Sequence, residues 1–104
     1  MPSQTLIDNF TLAFHRQAVA RLRIQSDLLL KARDTVRRWR LQRGPAASDP
    51  YLDAWDALLA AGPDAIEREV CVDHPRAATL RNVSPLGFVL SAGERMALHR
   101  AAKD

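Results

Sequence analysis

The sequence predicts an all-α fold, a compact bundle of five to six helices, on three observations. Apolar residues recur at spacings of three and four along most of the chain, the period of a helix face. Gly, Pro and capping residues interrupt that rhythm at intervals suited to short connections between helices. Finally, 17 Ala, 14 Leu and 13 Arg make up 44 of the 104 residues, a bias toward helix formers, and no run is long enough for a strand ladder.

The first helix is expected from about Thr5 to Ile24, because Leu6, Ile7, Phe10, Phe14, Ala18 and Leu22 share a face. Ser26 and Asp27 offer an N-cap and a first-turn acid for a second helix, which carries Leu28, Leu29, Ala32, Val36 and Trp39 on one side and stops at Gly44-Pro45. Neither Gly nor Pro interrupts Ser3 to Arg43, so one long rod with a soft point at Gln25-Ser26 is the alternative to two helices in an antiparallel hairpin, and two helices are the expectation. Asp49-Pro50 reads as N-cap and first helical residue of a third helix with Tyr51, Leu52, Trp55, Leu58 and Leu59, ended by Gly62-Pro63. A fourth helix begins near Pro63-Asp64 and aligns Ile66 with Val70, and Asp73-His74-Pro75 caps and starts a fifth that ends near Asn82. Residues 84–90 break the period. Ser91 and Glu94 have capping-box spacing and open a last helix through Met96, Leu98 and His99.

Length and composition fit a single domain over residues 1–104, with a basic helical part (1–43), a linker (44–50) and an acidic helical part (51–104). The charge is unevenly laid out. Residues 1–45 hold nine Arg/Lys against three Asp/Glu, and residues 46–104 hold six against nine, so the net +3 is +6 and −3. A basic first part favours a polyanion or an acidic protein surface. The longest apolar run is Ala57 to Ala61, too short for a membrane span. The N-terminus meets Asp8 before any base, unlike a secretory signal, and the expected location is cytoplasmic. Cys71 is the single cysteine, which excludes an internal disulfide and a Cys-rich zinc site.

On a wheel at 100° per residue, Arg33, Arg37 and Arg40 form one stripe of the second helix beside Leu29 and Val36, with Arg38 nearby. Guanidinium forks suit phosphate, and such a row supports salt-dependent nucleic-acid binding. Two acid-first pairs at i,i+4, Asp27 with Lys31 and Asp34 with Arg38, point instead to a solvated or protein-contacting face. No helix-turn-helix can be aligned, since the join at Gln25-Ser26 lacks glycine and the stripe lies late in its helix. Residues Pro85 to Leu90 are apolar but aperiodic, with Gly87 allowing unusual backbone angles; they either tuck over the core or present Leu86 and Phe88 to a partner.

Catalytic patterns are sparse. Cys71 and His74 make at most half of a nucleophile–base or metal site, and Cys71 sits between Val70 and Val72 as a small buried hydrophobe would. Trp39, Tyr51 and Trp55 occur at helical spacing among aliphatic neighbours, a core pattern more than a stacking platform for bases. Arg68 and His74 enclose five residues, a spacing that resembles the ribonuclease signature of the helical HEPN nucleases. That resemblance implies His74 as acid/base and Arg68 as transition-state stabiliser. Glu69 departs from the small polar residue usual after the arginine, and the break before Pro75 separates the pair.

Four stretches, Phe14 to Ala20, Ala32 to Trp39, Tyr51 to Leu59, and Leu80 to Pro85 with Leu90 and Glu94-Arg95, together look like a recurring pattern of short bacterial proteins. The pattern is similar to small helical antitoxins or accessory regulators of toxin–antitoxin loci, and it brings no catalytic residues. The expectation is a non-catalytic protein-interaction module, antitoxin-like or regulatory, whose basic helix docks an acidic protein partner. Nucleic acid held by Arg33, Arg37 and Arg40 is the second reading, and the HEPN-like nuclease a remote third. No cofactor, metal or membrane contact is expected, and a homodimer is compatible with the pattern.

Overall fold

In the computed structural model, which describes residues 4–44 and 49–102, the chain forms six helices and, among the described residues, no strand. They are α1 (Gln4–Ile24), α2 (Asp27–Arg43), α3 (Pro50–Ala61), α4 (Pro63–Val70), α5 (Pro75–Asn82) and α6 (Ala92–Ala102). The all-α bundle foreseen from periodicity is therefore the fold. The middle of the expected linker, residues 45–48, lies outside the described residues.

α1 is the helix around which the others gather. It packs on α4, α5 and α6, and to a lesser extent on α2, while α3 bridges α2 and α4. Phe14, Ala18 and Leu22, spaced by four, are buried on its inner face together with Val19. They meet Leu52, Trp55 and Leu59 of α3, Ile66 and Val70 of α4, and Leu80 of α5 in one continuous apolar core. Trp55 is fully buried, and its indole Nε1 donates to the Leu80 carbonyl oxygen at 3.0 Å, so the bulky ring leaves no polar atom stranded.

Helix boundaries follow the local chemistry with two exceptions. The Asp49 carboxylate accepts from the backbone N–H groups of Tyr51 and Leu52, and Pro50 occupies the first turn of α3. Gly62, at φ 108°, takes a conformation that L side chains rarely adopt and lets α4 turn away at once from α3. His74 caps α5, its Nδ1 accepting from the Arg76 N–H at 3.2 Å. The Ser91–Glu94 capping box closes in both directions, at 3.2 Å and 3.0 Å. Ser26, by contrast, does not cap: it has helical angles (φ −65°, ψ −21°) and no side-chain bond to α2. The Leu29 N–H bonds the Ser26 carbonyl there, so backbone turns serve in place of the hydroxyl. Between α1 and α2 the break is thus a short backbone irregularity, and the larger contact of α2 is with α3.

The second exception is the 84–90 segment. It tucks over the core: Pro85, Leu86, Val89 and Leu90 are buried, Leu86 completely, and the Val89 N–H closes a turn onto the Leu86 carbonyl at 3.0 Å. Leu86 is therefore unavailable to a partner, and of the expected pair only Phe88, 43% exposed, reaches the surface. Gly87 also differs from expectation, since positive φ is found at Gly44 and Gly62 and not there. Its lack of a side chain matters for space: a Cβ would stand 3.3 Å from the Arg95 Nη2.

Candidate docking face on the second helix

α2 buries Ala32 and Val36, with Leu28, Leu29 and Trp39 half-buried against the core. This orientation leaves Arg33, Arg37 and Arg38 exposed on the outer side and turns Arg40 toward α3. The four arginines foreseen as one binding group thus have different fates. Arg40 donates from Nη2 to Asp53 Oδ1 at 2.6 Å and to Asp56 Oδ2 at 2.7 Å, and from Nε to the same Asp56 oxygen at 3.0 Å. The Asp53 and then the Asp56 carboxylate hold its guanidinium still more firmly protonated. Arg37 contacts the Asp34 carboxylate, and Arg38 lies 3.7 Å from Asp34 and donates to Thr35 Oγ1 at 3.2 Å. The Asp34–Arg38 pair expected from spacing is present; no ion pair joins Asp27 to Lys31 among the described residues. Arg33 likewise has no ion pair among the described residues.

The stripe borders an open depression lined by Leu30, Arg33, Asp34, Arg37, Arg40 and Asp56. Leu30 is 66% exposed and Leu41 76% exposed. On a regular helix these two leucines lie within roughly 20° of each other, with Arg37 beside them. The outer face of α2 is accordingly a mixed strip of two leucines and two arginines, with Asp34 and Asp56 at its edge.

The uneven charge seen in the sequence is largely answered inside the molecule. Arg21 pairs with Glu94 at 2.5 Å, Arg23 with Asp64 at 2.8 Å and Glu67 at 2.6 Å, and Arg43 contacts Asp49. With Arg40 these pairs tie the basic first part to the acidic second part, across α1–α4, α1–α6 and α2–α3. Such exposed pairs contribute little each, but they consume most of the carboxylates that the sequence places after residue 48.

Cys71 is 5% exposed, and burial pushes its thiol up to about 11, the setting of an inert thiol. The His74 Nδ1 is engaged in capping α5, while Arg68 sits near the end of α4 across the turn at 71–74. Among the described residues no three His, Cys, Asp or Glu side chains gather as a metal site would require, and no helix is long and apolar enough to cross a membrane. Trp55 belongs to the core, Trp39 packs half-buried against it, and Tyr51 is 37% exposed, so the three do not form a platform.

Periodicity missed two buried polar residues, His15 and Arg81. His15 is 3% exposed, its Nδ1 donating to the Thr11 carbonyl at 2.7 Å. That bond leaves Nε2 as the lone-pair nitrogen, and it has no partner among the described residues. Burial pushes the imidazole down to about 4. The adjacency of His15 to Phe14, Ala18 and Leu22 on the α1 wheel was a signal for its burial; nothing in the sequence around Arg81 announces its own. No protein family, curated protein or solved structure is detectably similar to the chain.

Proposed function

We propose that the protein is a non-catalytic interaction module, antitoxin-like or regulatory, that docks an acidic, amphipathic segment of a protein partner on the outer face of α2. The observation that carries this reading is the exposure of Leu30 and Leu41 on the same face as Arg33 and Arg37. A leucine pair at that spacing suits the apolar side of a partner helix, and the flanking guanidiniums suit its carboxylates. Nucleic acid is favoured less, because Arg40 is committed to α3 and two carboxylates, Asp34 and Asp56, edge the depression.

The test uses the product of the gene encoded beside this one, purified and titrated against wild type, Leu30→Glu/Leu41→Glu and Arg33→Glu/Arg37→Glu. The reading expects a complex with wild type that both variants lose while keeping their helical circular dichroism and melting temperature. A complex indifferent to both pairs of substitutions sinks the α2 face. Binding of duplex or single-stranded nucleic acid that falls steeply with salt and is lost in Arg33→Glu/Arg37→Glu would replace the protein partner by nucleic acid.

A further inference from the structure

A small cleft of about 150 Å³ opens beside α1, where the end of α5, the 84–90 turn and Arg95 of α6 meet it. Arg81 and Arg95 both line it, Phe10 and Phe14 form an aromatic wall, and no carboxylate is among its lining residues.

The two guanidiniums are held open by neutral groups. Arg81 is only 5% exposed; its Nη1 donates to the carbonyl oxygens of Val70 at 2.7 Å and Val72 at 2.9 Å, and its Nε to Thr11 Oγ1 at 3.3 Å. Val70 closes α4, so the helix dipole answers about half an elementary charge. Burial disfavours the charged form of Arg81 and lowers its pKa, while Asp8 and Asp73 act through space in the opposite direction. Arg95 donates to the Gly87 carbonyl and lies 5.2 Å over the Phe14 ring, with no ion pair among the described residues. A buried cation is costly unless a charge meets it. His15 also lines the cleft, edge-on to the Phe14 ring, and its buried Nε2 finds no donor among the described residues.

We propose that this cleft binds a small organic carboxylate, Arg81 and Arg95 holding the carboxylate and Phe10 and Phe14 contacting a compact apolar or aromatic body. Arginine forks match carboxylate geometry, the phenyl rings border the guanidiniums, and the volume limits the ligand to a small acid. The site is separate from the α2 face and stands or falls without it.

The probe is sodium benzoate, titrated into the intact ¹⁵N-labelled protein against sodium chloride at equal ionic strength, with inorganic phosphate as a second arm. Saturable shifts of the Thr11, Asn82 and Gly87 amides are expected with benzoate. Arg95→Gln, a substitution at an exposed side chain, should weaken binding about tenfold, the worth of one charge-assisted contact. Arg81→Lys should weaken it as well, with melting curves separating lost affinity from lost fold. Shifts that follow ionic strength alone, or Arg95→Gln titrating like wild type, would overturn the site. Saturation by phosphate and not by benzoate would overturn its assignment to a carboxylate.

Discussion

Arg40 of α2 places two donors on one carboxylate oxygen of Asp56 in α3, Nε at 3.0 Å and Nη2 at 2.7 Å. With Asp53 on the same guanidinium, the side chain acts as a strut between two helices whose apolar contact is otherwise made by Ala32, Val36 and the inner face of α3. Arg40→Glu should therefore lower the melting temperature, more at low salt than at high salt, whereas Arg33→Glu should leave it nearly unchanged. Adding Asp56→Arg to Arg40→Glu should recover part of the loss. Melts across ionic strength read this directly, and equal effects of the Arg33 and Arg40 reversals would argue against the strut.

The buried imidazole of His15 makes stability depend on pH. Unfolded, it titrates near 6.5; folded, burial holds it near 4. Between those values the unfolded chain takes up the proton and the folded chain does not. The contribution is whole above about 6.5 and is lost as pH falls toward 4, by up to about 3 kcal/mol. Urea unfolding from pH 7 to pH 4 should show this slope in wild type and a flatter one in His15→Leu, with His74 and His99 kept in both.

Trp55 joins α3 to α5 through a core ring and a hydrogen bond to Leu80. Trp55→Phe keeps an aromatic but removes the indole N–H, leaving the Leu80 carbonyl only the 3.3 Å bond from the Val83 N–H, and opens a gap. A loss of about 2 kcal/mol is expected from chemical denaturation, with helical content retained.

Ser91 holds the start of α6 through the reciprocal bonds with Glu94. Ser91→Ala should cost about 1 kcal/mol, and amide exchange should speed up first in α6. Exchange rising uniformly through the bundle would show that α6 does not fray as a unit.

Much of the fold was legible in the sequence because its boundaries are local. Asp49-Pro50, Gly62-Pro63, His74-Pro75 and Ser91-Glu94 mark helix starts through contacts within a few residues, and all act as starts in the structure. Ser26 misled because an identical cap signal can be overridden when the backbone makes its own turn. The α2 face was legible as a register but not as a charge. A wheel places Arg33, Arg37 and Arg40 together, yet only tertiary packing decides that Arg40 meets Asp53 and Asp56. Leu86 was ambiguous for a like reason, since an aperiodic apolar stretch has no face until a core lies beneath it. Arg81 was out of reach altogether: its acceptors are backbone carbonyls of another helix end, invisible to side-chain pattern.

The placement of α1 bears on how the chain emerges from a ribosome. It is synthesised before its principal partners α4, α5 and α6. Until they have left the exit tunnel, Phe14, Ala18, Val19 and Leu22 can lie only against the part of the core that α2 and α3 supply, and the rest of the stripe is open to solvent. The nascent segment is then a natural client for a chaperone, and folding waits on contacts distant in sequence despite the local character of each helix.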